Sequence, residues 1–225
     1  MKQHGAKKIV TVMLVASLVG ITFSSSVAMA SAKSVTKSFY AKVSCRVAKA
    51  ITHNAMVLTM PPVKNLGDKK VTLKTNCGNI TFTAFGSKAP TTVSVFTFLV
   101  SKSFYDKTPC HRIVTNGIYI LQCGDPTGTG MGNPGFQFKD ENLPKMEGNN
   151  YPAGTIAMAN AGPGTNGSQF FIVYADTTLP SAYTIFGQVT SGLNIVSYIA
   201  SKGVLGGASD GAPKQSVFID KVSVK

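Results

Sequence analysis

The sequence of 225 residues has no tryptophan, nine acidic residues against 22 basic ones, and only two arginines, Arg46 and Arg112. Its three histidines stand far apart, at positions 4, 53 and 111. Metal sites need several ligands brought together, and no two of these histidines have the spacing of a ligand pair. We therefore expect neither a metal site nor a cofactor.

The shortage of acidic residues leaves a net charge of +13. A strongly basic chain raises the question of nucleic-acid binding. Here the basic residues are not interleaved with aromatic ones, and residues 1–30 have the pattern of an export signal, which argues against such a role. We expect no nucleic-acid partner.

Residues 1–30 have the three parts of a secretory signal peptide. The first eight residues include three lysines, Ile9–Phe23 is apolar apart from small and hydroxyl residues, and Ala28–Ala30 forms an A-x-A cleavage site. An uncleaved membrane anchor is the alternative. A bilayer needs about 20 apolar residues, so the short run favours cleavage. We expect an exported protein, extracytoplasmic in the cell envelope or secreted, that begins after Ala30.

Residues 31–70 are basic and have no sustained apolar period; the first acidic residue after the signal is Asp68. Pro61–Pro62 stiffens the end of this segment. We expect a basic tether that is partly disordered. Two interpretations of its charge stand equal: contact of residues 31–66 with an anionic cell envelope, or a solvated linker whose charge is incidental.

Beyond the signal the apolar runs are short, while glycine (22) and proline (11) are plentiful. Short apolar runs separated by glycine and proline are typical of a β-rich domain, which we place at residues 71–225. Alternating or short apolar segments predict strands at 71–75, 80–85, 110–114, 118–123, 155–159, 169–174, 184–190 and 216–224. Helical patterns cover residues 89–100 and 193–202. About eight strands and two helices suit an all-β closed barrel with helices at its ends.

The stretch Thr155–Tyr174 combines two apolar strands with a loop of small residues. Small residues allow a close approach of the backbone to a ligand. Asn160 stands where the first strand gives way to the loop, and Gln169 and Phe171 share one face of the second strand. An amide and a phenyl ring beside an exposed backbone edge suit an extended peptide with a hydrophobic residue.

A second glycine-rich loop occupies residues 124–135, GDPTGTGMGNPG. It lacks the G-K-[ST] ending of a phosphate-binding loop. We expect it to line a secondary pocket next to the main binding site.

Several segments resemble the cyclophilin family of peptidyl-prolyl isomerases: HRIV at 111–114, LQCGDPTGTG at 121–130, MANAGPGTNGSQFF at 158–171 and FG at 186–187. Their order and spacing match the family from Val71 to Val224. The LQCGDPTGTG and TLP–YTIFG segments are most similar to exported actinobacterial members. The resemblance implies an eight-stranded antiparallel closed barrel capped by two α-helices, and a groove that binds proline-containing peptides and unfolded exported proteins.

The resemblance also implies roles for single residues. The family's catalytic arginine falls on Arg112, with Gln122 and Asn160 as further catalytic groups. Substrate binding falls on Tyr119, Ile120, Ala159, Ala161, Gln169, Phe171, Leu179 and Tyr183. Tyr183 takes the place of a histidine at the groove rim, and Tyr119 stands where phenylalanine is common. We expect a monomer.

Arg112 has a plain alternative interpretation, because a lone arginine is usually part of a surface ion pair. The chain uses lysine for nearly all its other basic residues. An arginine on a strand facing the pocket motif therefore favours a functional role for Arg112. His111 is its neighbour in the strand and faces the other way. We expect His111 to be a hydrogen-bonded core or interface histidine and not a ligand.

The missing tryptophan is a departure from the family, whose groove tryptophan contributes a hydrogen bond to cyclosporin. We expect weak cyclosporin binding at most, with isomerase activity retained. The turn at residues 115–117 also carries a residue or two more than in the shortest family members.

The four cysteines, at 45, 77, 110 and 123, allow three pairings. An oxidising location permits disulfides. Cys110 and Cys123 lie on strands joined by one turn, and Cys45 can reach back to the domain, for instance to Cys77. Buried free thiols are an equal alternative.

Two functions remain in view. The first is an exported enzyme that accelerates prolyl isomerisation. The second is an envelope-associated module that binds proline peptides or acts as a chaperone, with vestigial isomerase activity.

Overall fold

The computed structural model of the chain describes residues 43–47 and 56–225. The predicted signal peptide, its cleavage site after Ala30 and much of the predicted tether lie outside these residues. In the described part of the chain, no helix has the length and apolar character needed to cross a membrane.

Ten strands and two α-helices make up the described domain. The strands are β1 (Lys69–Thr75), β2 (Gly78–Ala84), β3 (Thr108–Pro109), β4 (Arg112–Asn116), β5 (Ile118–Cys123), β6 (Thr155–Met158), β7 (Phe170–Val173), β8 (Ile185–Ser191), β9 (Asp210–Gly211) and β10 (Phe218–Val224). The helices are α1 (Pro90–Ser101) and α2 (Leu193–Ser201). A short 3-10 segment covers Leu205–Gly207.

One antiparallel sheet contains all ten strands, in the order β3-β10-β1-β2-β8-β6-β7-β5-β4-β9. Eight strands have four to seven residues, and β3 and β9 have two residues each. β3 pairs with β10 at one end of the order, and the chain enters β4 near the other end only two residues later. The sheet therefore curls round on itself as a barrel. This confirms the predicted β-rich fold of eight strands and two helices, to which the structure adds two short strands.

The main core lies inside the barrel, because alternate residues of each strand point inward. Val71 and Leu73 of β1 and Phe82 of β2 are buried there, and α1 covers one end with Phe96 and Leu99. Phe82 and Phe96 meet edge to face at 6.0 Å between ring centroids. Each such side chain stabilises the fold by about 1.5–3 kcal/mol when it leaves water.

A second apolar cluster lies on the outer face of four neighbouring strands, β4, β5, β7 and β6. Val114, Ile120, Ala157, Phe171 and Val173 are buried there. Their inward neighbours, such as Ile113 and Leu121, belong to the main core, so both faces of these strands are apolar. Tyr151, Leu179 and Tyr183, from the connections around β6–β8, pack against the outer cluster. This cluster forms the floor of the candidate site.

The four cysteines form two disulfides, Cys45–Cys77 and Cys110–Cys123, which rules out free thiols. Cys45–Cys77 joins the amino-terminal segment to the β1–β2 turn. Beside it, the Arg46 N–H donates to Asn76 O at 2.8 Å, and the Arg46 guanidinium contacts Asp220 at 2.6 Å. Within the predicted tether, residues 43–47 thus contact the domain. The proposed domain limits at residues 30 and 70 stay predictions.

Candidate active site

Arg112 stands at the first position of β4 and is held from two sides. Its Nε and Nη2 each donate a hydrogen bond of 2.7 Å to the two carboxylate oxygens of Asp210, and its Nη1 donates to Gln122 Oε1 at 3.0 Å. Gln122 is its direct partner across the β4–β5 pair. Hydrogen bonding to Asp210 raises the pKa of Arg112 and lowers the pKa of Asp210, against the opposing effect of burial. The guanidinium therefore stays charged and has a fixed plane.

Two side-chain amides in series, those of Gln122 and Gln169, extend the hydrogen bonding that holds Arg112. Gln122 Nε2 donates to Gln169 Oε1 at 2.9 Å, and Gln169 Nε2 donates to the carbonyl oxygens of Gly130 and Gly132, both at 2.9 Å. Arginine can only donate and carbonyls can only accept, so the two ends of the chain determine how both amides are oriented. The predicted residues Arg112, Gln122 and Gln169 thus belong to one network.

Asp125 organises the glycine-rich loop that receives this network. Its carboxylate accepts hydrogen bonds from Thr127 N and Oγ1, both at 2.7 Å, and from Gly130 N at 2.6 Å. Burial opposes the charged form, but these bonds outweigh it and lower the pKa of Asp125. A Cβ at Gly132 would overlap the same carboxylate, so only glycine fits there. The GDPTGTG sequence is thus a loop folded around one carboxylate.

A pocket of about 200 Å³ with an apolar floor opens beside Arg112. It is lined by Arg112, Ile118, Ile120, Gln122, Ala159, Asn160, Phe171, Leu179 and Tyr183. Phe171 and Tyr183 meet edge to face with their ring centroids 5.6 Å apart. The pocket has the size of a small side chain and a cationic donor at its rim.

Tyr119 does not line this pocket, although the sequence resemblance assigned it there. Side chains alternate along β5, so Ile118, Ile120 and Gln122 face the pocket. Tyr119 faces the other way and packs edge to face on Tyr174 at 5.9 Å. Ile118 therefore replaces Tyr119 in the pocket wall.

The side chain and the backbone groups of Asn160 have different roles. Its side-chain Nδ2 donates to Ala182 O at 2.8 Å and to Asp140 Oδ1 at 3.3 Å, which fixes the loop that follows β6. Its backbone N–H and C=O have no hydrogen-bond partner among residues 43–47 and 56–225. These two backbone groups are therefore available to an extended peptide, whereas the side chain is not.

A second pocket of about 290 Å³ adjoins the first. Ala161 and Gln169 line it together with Gly130, Met131 and Gly132 of the glycine-rich loop, as the sequence predicted for that loop. Gln122, Ala159 and Asn160 line both pockets, so the two spaces form one continuous groove.

His111 departs from its prediction. It was expected to be hydrogen-bonded, but both ring nitrogens are buried without a partner in the described structure. Burial lowers its pKa, so the ring is neutral at pH 7. No cluster of three or more histidine, cysteine, aspartate or glutamate side chains suited to a metal ion occurs among the described residues.

Two further residues of the site escaped the sequence reasoning. Asp210 lies in a turn-rich segment, GASDGAP, in which nothing marks it as a partner of Arg112. Asp140 accepts from Asn166 Nδ2 at 2.9 Å and from Gly164 N at 2.7 Å, and so holds the small-residue loop in place. Both act at a long sequence distance, which local patterns do not reveal.

Comparison with known proteins identifies the family. Residues 70–224 match the sequence profile of the family described as "Cyclophilin type peptidyl-prolyl cis-trans isomerase/CLD". The chain belongs to the cyclophilin family. The match covers the barrel and every residue of the groove described above.

The most similar cyclophilins include two from mycobacteria, each named "Probable peptidyl-prolyl cis-trans isomerase B". The Mycobacterium tuberculosis protein is 46% identical over 163 residues, which cover 68% of this chain and 53% of that protein. The Mycobacterium leprae protein is 42% identical over 161 residues, with 67% and 55% covered. The chain thus spans about half the length of these curated relatives.

A crystal structure of a cyclophilin type peptidyl-prolyl cis-trans isomerase of Cryptosporidium parvum is similar to the domain. Its TM-score is 0.59 at 28% identity, and the match covers 70% of this chain and 98% of that one. A second structure of the Cryptosporidium protein was determined in the presence of the dipeptide Ala-Pro.

Proposed function

We propose that this protein is a peptidyl-prolyl cis-trans isomerase that acts without covalent chemistry. Arg112 is the donor to the prolyl nitrogen in the twisted amide. The observation that carries the proposal is the position of the Arg112 guanidinium, held by Asp210 and Gln122 beside a pocket with an apolar floor.

The chemistry of the X–Pro bond explains why such a site is sufficient. Amide resonance gives rotation a barrier of about 18–20 kcal/mol, so uncatalysed exchange takes tens to hundreds of seconds. In the twisted transition state the nitrogen lone pair is no longer delocalised and accepts a hydrogen bond. A donor fixed at that place binds the transition state more tightly than the ground state, which is the condition for catalysis.

The groove supplies the remaining requirement, a grip on one side of the bond. The pocket of Ile118, Ile120, Phe171 and Leu179 accepts the proline ring. The backbone groups of Asn160 hold the adjoining peptide as a short added strand. One half of the substrate is then held while the other half turns. Arginine is charged at all accessible pH values, so no proton transfer is needed.

We further propose that the substrates are proline-containing peptides and unfolded exported proteins, which this chain meets outside the cytoplasm after its signal peptide is removed. The dipeptide used with the Cryptosporidium protein supports proline as the recognised residue. Because the groove has no tryptophan, cyclosporin binding is expected to be weak, and a nanomolar affinity would contradict this expectation.

The basic residues within 31–66 support a second proposal, contact with an anionic cell envelope. Binding of residues 31–225 to anionic vesicles should weaken as salt is added and should fall on replacing the lysines of this segment with glutamine. Unchanged binding would remove the proposal. An envelope-bound module with vestigial isomerase activity is the alternative function.

A coupled isomerisation assay on an Ala-Pro-Phe peptide separates the enzyme from the alternative. Arg112→Ala should lower kcat/KM about 10²–10³-fold, the loss typical of removing one transition-state donor. Arg46→Ala is the matched control, because Arg46 is the other arginine and also pairs with an aspartate. It should leave turnover unchanged. No turnover by the natural sequence would favour the binding module, whereas equal turnover by Arg112→Ala would show that Arg112 is not the transition-state donor.

A further inference from the structure

Asp210 makes the closest polar contact to Arg112 and comes from a separate part of the chain. It lies 98 residues away in sequence, in β9, which pairs with β4. Its two carboxylate oxygens meet Nε and Nη2 of Arg112 at 2.7 Å each, in the parallel two-bond arrangement that carboxylates form with guanidinium groups.

This pairing fixes the plane of the guanidinium. Three of its five N–H groups are used, two by Asp210 and one by Gln122. Among the contacts of the described residues, one N–H on Nη1 and one on Nη2 remain for a substrate. Gln122 alone would leave the group free to rotate about its single contact. Asp210 and Gln122 together hold it at opposite ends.

The segment that carries Asp210 is built to keep it in place. Thr115 of β4 donates its N–H to Ser209 O at 2.8 Å, and Leu205 N donates to Ala212 O at 2.8 Å. Gly211 has a φ of +148°, which an L side chain rarely adopts, and a Cβ there would press on Val204. The backbone on both sides of Asp210 is thus hydrogen-bonded into a turn that needs glycine.

Stability alone does not account for this arrangement. The side chains of Arg112 and Asp210 are 38% and 49% exposed, and exposed ion pairs contribute little to folding. The pair lies at the groove, where a misplacement of about 1 Å can reduce catalysis about a hundredfold.

We infer that Asp210 is a positioning residue for the proposed isomerase reaction: it orients the Arg112 guanidinium so that the remaining N–H groups meet the prolyl nitrogen of the twisted substrate. This inference rests on the proposed function. Asp210 itself touches neither the pocket nor the bond that rotates.

Replacement by asparagine tests the carboxylate with little change in shape. The Asp210→Asn side chain keeps one oxygen acceptor but places an NH₂ donor against an arginine that can only donate. We expect kcat/KM to fall about ten- to a hundredfold, mainly in kcat, with KM for the peptide nearly unchanged. Asp210→Ala should fall at least as far.

The matched control is Asp220→Asn, which breaks the Arg46–Asp220 ion pair away from the groove. It should leave kcat and KM unchanged. The decisive readout is a double-mutant cycle with Arg112→Ala. If Asp210 acts only through Arg112, then Asp210→Asn causes no further loss in the Arg112→Ala protein.

The outcomes separate this inference from the proposed function. If Arg112→Ala removes turnover but Asp210→Asn and Asp210→Ala both match the natural protein or exceed it, the inference fails and the isomerase remains. Losses that add in the double variant would also overturn it, because Asp210 would then act independently of Arg112. Absence of turnover in the natural protein would overturn both.

Discussion

Both ring nitrogens of His111 are buried without a hydrogen-bond partner among the described residues, beside the Asp125 carboxylate and the Arg112 guanidinium. Burial is the main cause that lowers the pKa of His111, and Arg112 adds to it, while Asp125 acts in the opposite direction. The ring is therefore harder to protonate in the folded protein than in the unfolded chain, where its pKa is about 6.5.

This difference predicts a loss of stability in mild acid. As the pH falls below about 6.5, the unfolded chain binds a proton that the folded protein does not, so the free energy of unfolding declines until the pH reaches the lower, folded pKa. Urea unfolding between pH 7.5 and 5 should show the decline, and His111→Leu should flatten it. Asp68, Asp125 and Asp210 have lowered pKa values, so the loss of stability that they cause begins only at about pH 5 and lies below the measured range. An equal slope in His111→Leu would refute the assignment.

Single residues also show what the sequence could and could not predict about the site. The pocket residues that follow β6 or lie on β7 belong to a long, specific motif, so their placement was predictable. The sequence could have identified Ile118 as a pocket residue, because it shares the period of two with Ile120 and Gln122. The resemblance pointed to Tyr119 instead. Asp210 could not be predicted, because β9 has only two residues and the contact of Asp210 with Arg112 spans 98 positions.

At the scale of elements, α1 shows how a helix is completed by a distant loop. Its N-cap residue, Ala89, offers no side-chain hydrogen bond. Instead Glu141 Oε1 accepts from Thr92 N at 2.6 Å, which satisfies one of the free N–H groups of the first turn and places a negative charge at the positive end of the helix dipole. The loop that carries Glu141 is thereby fixed beside the groove, because Glu141 N donates to Thr184 Oγ1 at 2.9 Å.

Removing this cap should therefore weaken the domain. We expect Glu141→Ala to lower the free energy of unfolding by about 1 kcal/mol, the usual cost of losing a side-chain cap. Urea unfolding measures the change. Glu147→Ala, an exposed glutamate of the same loop, is the control and should stay within about 0.5 kcal/mol of the natural protein. Equal effects of the two changes would show that Glu141 does not cap α1.

The elements themselves were predictable to different degrees. Alternation located β1 and β2, and short apolar runs on either side of a turn located β4 and β5, all to within a few residues. The dipeptide strands β3 and β9 are too short to show any period. The antiparallel barrel followed from the resemblance and not from the pattern, since period alone does not say which strands pair.

Four acidic residues of the described domain lie near the groove, and three exposed lysines lie on β1 and β10. Asp125, Asp140, Glu141 and Asp210 belong to the loops and short strand around the groove. The outer face of β1 and β10, on the far side of the barrel, carries Lys70, Lys74 and Lys221, all exposed. Lys74 and Lys221 are direct partners across the β1–β10 pair, and neither forms a salt bridge among the described residues. Like charges in that arrangement destabilise a sheet.

With a net charge of +13, such repulsion should limit the stability of the folded protein at low salt. Lys221→Glu turns the repulsive pair into an attractive one, so we expect the midpoint of thermal unfolding in 10 mM salt to rise by about 1–3 °C. The gain should shrink in 1 M salt, where the screening length falls to about 3 Å. Lys214→Glu makes the same change of net charge at an exposed site outside β1 and β10. A rise of equal size in both variants would assign the effect to net charge alone, whereas a larger rise in Lys221→Glu identifies the cross-strand pair as its source.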